Sequence, residues 1–143
     1  MVELDRTFQI DRPAQDAWAL VMDLERLVPC VQGGKVLERI SDDEVRAEIR
    51  VKMGAMSMRF AGTVTIVERD DEQRRALLRV KSREVGGSGH ANADVTFTLQ
   101  DGSVSIHTAA QITGKAASMG EGTVATVLEA LIKDFSERFA AAV

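Results

Sequence analysis

The sequence has 143 residues, 45% of them apolar and 28% charged, and a formal net charge of −4. That length suits one domain, residues 1–143, with a sizeable core, and the charge balance argues against a nucleic-acid binder. A single cysteine, Cys30, excludes an intrachain disulfide, and with only His90 and His107 beside it a thiolate-rich zinc site lacks ligands.

No apolar run approaches the ~18 residues of a membrane span. "MVELDRTFQI" has neither the basic start nor the long apolar stretch of a secretory signal. A cytoplasmic location is the expectation. In that first stretch Leu4, Phe8 and Ile10 share one parity and Glu3, Asp5, Thr7 and Gln9 the other, with Arg6 interrupting the apolar row. This is a strand with one buried face.

"DRPAQDAWALVMDLERLVPC" changes period. Pro13 suits the first turn of a helix, and Ala14, Trp18, Val21 and Met22 recur at helical spacing. The apolar row shifts register around Asp23, which predicts a break and a second short helix ending before Pro29. "QGG" then turns the chain.

From Lys35 to Thr113 the period is two. Val45, Ala47, Ile49, Val51 and Met53 alternate with Arg46, Glu48, Arg50 and Lys52. Gly54-Ala55 reads as a tight turn into Met58, Phe60, Gly62, Val64 and Ile66. After the polar loop "RDDEQR", Ala76, Leu78 and Val80 oppose Arg79, Lys81 and Arg83. "GGSG" leads into Ala91, Ala93, Val95, Phe97 and Leu99, and Asp101-Gly102 is a hairpin signal before Val104, Ile106, Ala110 and Ile112. One-sided alternation joined by short turns predicts an antiparallel meander with one wet face.

At the C-terminus Val124, Val127, Leu128, Leu131, Phe135 and Phe139 mark a helical stripe. About twenty residues span ~30 Å, enough to cover the apolar face of the sheet. "SMGEGT" before it leaves two readings open. Either Gly120 and Gly122 fall in the first turn and leave a frayed start over the core, or Thr123 is the N-cap and the glycines are loop.

The order strand, helices, meander, long helix resembles the START-like (SRPBCC, Bet v 1-like) helix-grip superfamily, an α+β fold. It implies a curved antiparallel sheet of about seven strands wrapped around a long C-terminal helix, with two short helices after the first strand. Within it, "RPAQDAWALVMDLERLVPCVQGG" and "VKMGAMSMRFAGTVTI", with Phe60, Ala61 and Gly62, resemble blocks of the G-subunit family of carbon monoxide dehydrogenase. Gln32 stands where that family usually has proline. The resemblance implies an internal cavity for an apolar ligand, a quinone or other isoprenoid lipid, and no covalent cofactor. It also implies a partner of the molybdenum-containing CO dehydrogenase type, and peripheral contact with the inner face of the cell membrane.

The strand parities test this independently. An enzyme needs polar groups converging in its pocket. The inward positions expected to bind ligand are instead Met53, Met56, Met58, Phe60, Leu78, Val80, Ala93, Val95 and Phe97, with Val124, Leu128, Leu131 and Phe135 from the helix. Methionines fill irregular cores as readily as they line adaptable binding surfaces. The small Ala91 and Ala93 favour the second reading, because they leave volume unfilled. Both histidines have outward parity. Ser82 and Glu84 continue an inward row toward the cavity mouth, unless the register slips at the glycines. Arg6 could anchor a head group, pair with Glu84 or reach solvent. Cys30 has no activating base nearby and reads as an inert buried thiol. Arg50, Lys52, Arg59, Arg79, Lys81 and Arg83 share the outer face, as a solvated surface or as a docking patch for a partner enzyme or anionic lipid. The expected function is carriage without catalysis. The alternatives are a polyketide cyclase- or hydrolase-like enzyme in the same cavity, and an assembly factor with no ligand.

Overall fold

The computed structural model describes residues 1–143. Strand β1 (Val2–Gln9) is followed by helices α1 (Ala14–Val21) and α2 (Leu24–Leu27) and a 3₁₀ turn, Val28–Cys30. Six strands follow: β2 (Gly34–Ser41), β3 (Glu44–Met53), β4 (Met56–Asp70), β5 (Arg75–Glu84), β6 (His90–Gln100) and β7 (Ser103–Ile112). A second 3₁₀ turn (Ala117–Met119) precedes α3 (Glu121–Ala142).

The seven strands form one curved antiparallel sheet in the order β1-β7-β6-β5-β4-β3-β2. Every neighbour in the meander is also a sequence neighbour, as its short turns require. Only β1 breaks the rule, pairing with β7 so that Leu4 faces Thr108 and Phe8 faces Val104. β1 and β2 are thus opposite edges, and the segment α1–α2–3₁₀ carries the chain from one edge to the other. The expected helix-grip architecture is present.

The short second helix ends before Pro29, as expected: α2 stops at Leu27, and a separate 3₁₀ turn, Val28–Cys30, carries the chain through Pro29. Proline fits there because the first residues of a helical turn do not use their N–H groups. Of the two open readings of "SMGEGT", the Thr123 N-cap is the one that falls. α3 begins at Glu121, with Gly120 at its cap position (φ 97°), so Gly122 lies inside the first turn. Gly120 is there because that left-handed angle is strained for any residue bearing a Cβ.

α1 has no capping side chain of its own. Asp101, in the β6–β7 turn, accepts from the backbone N–H of Ala14 at 2.8 Å, and Asp71, in the β4–β5 turn, accepts from the Trp18 indole at 3.1 Å. Two turns of the sheet therefore fix α1 against its end.

The core has two parts. The larger contains Trp18, Leu20, Leu27, Leu78, Phe97, Val104, Phe135 and Phe139. Phe8, Phe97, Phe135 and Phe139 stack there with centroids 5.8–6.3 Å apart, Phe8 meeting Phe139 edge-on at 81°. Tilted and edge-on pairs of this kind are favourable beyond the area they bury. The smaller cluster, at the other end of the sheet, joins Val2, Met53, Met58, Phe60, Ala116 and Val124.

Gly62 sits where β4 passes β5 so closely that a Cβ would lie 1.8 Å from the Lys81 carbonyl oxygen. The obstacle is backbone and cannot swing aside. Gly62→Ala is expected to cost about 2 kcal/mol or more, at the upper end of overpacking penalties, read as a lower urea midpoint with an unchanged slope. A midpoint equal to that of the unsubstituted protein would show that the strands separate freely.

Candidate functional site: an apolar cavity between sheet and helix

Between the two clusters lies a cavity of about 300 Å³ lined by 32 residues, 25 of them hydrophobic. Each structural layer supplies one wall. The inward rows of β3 to β7 form the concave floor, α3 contributes Val124, Val127, Leu128, Leu131, Ile132 and Phe135, and Leu27, Val28 and Val31 close one flank. The space exists because small residues hold key floor positions: Ala47, Gly62, Ala91, Ala93 and Ala110 all line it.

Of the thirteen residues singled out in the sequence, all but Met56 and Met58 line this cavity. The two exceptions correct the expectation. Met56 closes the β3–β4 turn opposite Met53, and Met58 pairs with Val51. Both are spent in the end cluster, with Met58 buried there and Met56 packed against it. The methionine-rich stretch divides accordingly: Met53 faces the cavity while its neighbours seal the cavity's end.

Several lining residues escaped the sequence selection. Ile49, Val51, Ile106, Ala110 and Ile112 continue inward rows that were legible, and only the choice among them was narrow. Leu27, Val28 and Val31 gave no signal, because they straddle a helix end where no period holds. Thr108 lies inside the β7 apolar row as its one polar member.

Polar candidates are placed as follows. Ser82 lines the cavity and donates to the Ala91 carbonyl at 2.5 Å. Glu84 does not reach the lining; its carboxylate lies over Gly87 of the β5–β6 turn. Arg6 neither pairs with Glu84 nor lines the cavity. Its Nε donates to Ser136 Oγ at 3.1 Å, and that hydroxyl donates to the Ile132 carbonyl at 2.8 Å, so Arg6 ties edge strand β1 to α3. Cys30 is buried, its Sγ 3.6 Å from the Arg26 carbonyl, and desolvation pushes its thiol pKa up against the opposing pull of Arg26 and Arg138. A protonated buried thiol is a poor nucleophile.

On the convex face Arg79 pairs with Asp94 (2.9 Å), holding that carboxyl below its ordinary range, and Arg59 faces Glu48 at 3.9 Å. Arg50, Lys52, Lys81 and Arg83 make no ion pair there. His107 also faces out, its Nδ1 2.6 Å from Asp5 and its Nε2 3.6 Å from Glu3 across the β1–β7 pairing. No helix is long and apolar enough to cross a membrane.

The model of the CoxG family, the G-subunit proteins of carbon monoxide dehydrogenase, matches residues 7–143. The chain belongs to that family. No curated protein matches it. Among solved structures, a conserved protein from Geobacillus kaustophilus superposes on this CoxG-family chain with a TM-score of 0.81 at 20% identity, over 98% of this chain and 93% of the other. A START superfamily protein from Mycobacterium smegmatis gives 0.66 at 9% identity, over 99% and 96%. Zhui aromatase/cyclase from a Streptomyces species gives 0.54 at 12% identity, over 99% and 90%. At these identities the likeness is one of fold. The chain thus combines membership of the CoxG family with a START-like fold.

His107 gives a test of the β1–β7 register. The Asp5 hydrogen bond, with the charges of Asp5 and Glu3, raises its pKa above the ordinary 6.5. A pKa raised on folding contributes stability that is complete below about pH 6.5 and is lost as pH rises through the raised value. An NMR titration should place His107 above 6.5, and Asp5→Asn should bring it down. An unchanged titration in that variant would contradict the pairing.

Proposed function

We propose that this protein is a carrier: its cavity takes up a hydrophobic small molecule, a quinone or other isoprenoid lipid, and presents it to a molybdenum hydroxylase of the CO dehydrogenase type. The observation that carries the reading is the lining itself. Twenty-five of 32 positions are hydrophobic, and the one charged member, Glu48, has outward parity and faces Arg59. General acid–base catalysis needs a titratable group within hydrogen-bond reach of the reacting atom, and the inward rows offer only the hydroxyls of Ser82 and Thr108. Transfer of an apolar ligand from water gains on the order of 25 cal/mol per Å² of apolar surface removed, so the cavity binds without needing a charge.

The family's name supports the partner. Unpaired cations of the convex face, Arg50, Lys52, Lys81 and Arg83 among them, support peripheral contact with an anionic membrane surface, where each basic residue contributes about 1 kcal/mol. A cyclase-like reading draws on the aromatase/cyclase of similar fold, but needs an acid or base in the cavity.

Native mass spectrometry with lipid extraction is expected to find an apolar molecule copurifying with the protein. Protein from several hosts that never carries one would favour the assembly-factor reading. Ala93, opposite Val80 and Ala110 on the cavity floor, supplies the point test. Ala93→Phe should fill ligand volume and weaken binding at least tenfold, with less than 1 kcal/mol lost in stability, below the ordinary overpacking range. Unchanged binding in an unfolding-prone variant would mean position 93 is tight core.

A further inference from the structure

We propose that Thr108 is the anchor that orients the ligand: its hydroxyl takes the single uncharged polar atom, a carbonyl or hydroxyl oxygen, of an otherwise apolar molecule. The proposal rests on the carrier reading and adds to it a ligand chemistry and an orientation.

Thr108 is 7% exposed and lines the cavity from β7. It is flanked in its own row by Ile106 and Ala110 and faces Leu4 on β1 and Val95 on β6. A valine of the same shape would satisfy every one of those neighbours. The hydroxyl makes no hydrogen bond within the protein, yet no polar side-chain atom is sealed off without a partner. It therefore opens onto free space, and the space that Thr108 lines is the cavity. An unpaired hydroxyl in apolar surroundings is costly unless something meets it.

Its counterpart on the floor differs. Ser82 already donates its proton to the Ala91 carbonyl, whereas Thr108 can both donate and accept. No charged side chain lines the cavity at this end: Arg6, two positions from Leu4 along β1, turns its Nε to Ser136 and stays out of the lining. An ionised ligand would have no counter-charge there, so the polar atom is neutral.

The location also sets a direction. Thr108 lies one inward position from Ile106, which pairs with Phe97, and Phe97 packs against Phe135 in the solid phenylalanine cluster. With its polar atom held at Thr108 beside the aromatic wall, the ligand extends its apolar remainder toward Met53 and Val124.

The test uses two probes of nearly equal shape, 2-acetylnaphthalene and 2-ethylnaphthalene, which differ by a carbonyl in place of a methylene. Binding of each probe is followed by titration calorimetry with the full chain. Thr108→Val is expected to weaken the acetyl probe about tenfold and to leave the ethyl probe unchanged or tighter. Thr108→Ser, which keeps the hydroxyl, should retain the acetyl affinity that Thr108→Ala loses, so the comparison survives if the valine variant fails to fold. Without ligand, Thr108→Val should also raise the Tm by about 2–4 °C. Equal effects of Thr108→Val on both probes would overturn the anchor while leaving the carrier reading intact. If neither probe binds the unsubstituted protein, the cavity reading fails and the anchor with it.

Discussion

A single helix cannot fill the concave face of a seven-stranded sheet. Strands ~4.8 Å apart make a sheet roughly 29 Å wide, while a helix with its side chains is ~10 Å across. The sequence must cover the remaining apolar floor or leave it hollow. Here α1, α2 and the phenylalanine cluster cover one end, and the methionine-bearing cluster covers the other. Between them the floor carries alanine and glycine where larger residues would reach α3, and a cavity remains. Buried volume of this kind costs stability, since each missing contact forfeits dispersion energy that a close-packed core would gain. A space lined by side chains from every layer is the feature on which the proposed carrier role rests.

Much of this was legible in the sequence. A period of two over residues 35–113 and a period of 3.6 after Gly122 give both layers, and the alternation assigns each side chain to a face. What the sequence withheld belongs to relations between distant segments. The ion pairs of His107 with Asp5 and Glu3 depend on β1 joining β7, a pairing that no turn between them enforces. The Arg6–Ser136 bond depends on how α3 lies along the sheet edge. Met56 and Met58 have the right parity but lie beyond the cavity's end, and parity carries no information about depth. Thr108 was present all along as the one polar residue in an apolar row, and its meaning required knowing that no protein group meets it.

The same geometry favours the proposed binding role over catalysis. START-like folds host both, and an aromatase/cyclase shares this one, so the fold alone decides nothing. The difference lies in the lining. The inward rows of this cavity present hydrocarbon, the hydroxyls of Ser82 and Thr108 and no titratable lining side chain; Glu48, Thr63 and Asn92 border it from outward positions, and histidines and unpaired cations lie on the convex face or its edges. In the proposed reading, such an interior selects by shape and by one hydrogen bond and leaves the chemistry to a partner. Membership of the CoxG family accords with such a division, in which an accessory chain handles the apolar molecule and a separate enzyme performs the chemistry.

The central claim, a hollow apolar interior between the phenylalanine cluster and the methionine end, is tested most directly by xenon. Empty apolar cavities take up xenon, whereas close-packed cores exclude it. A crystal of the delipidated protein under xenon pressure should show ordered xenon bounded by Phe97, Phe135, Ala93 and Val124. A crystal in which that region is filled by the protein's own side chains, with xenon absent from it, would contradict the account.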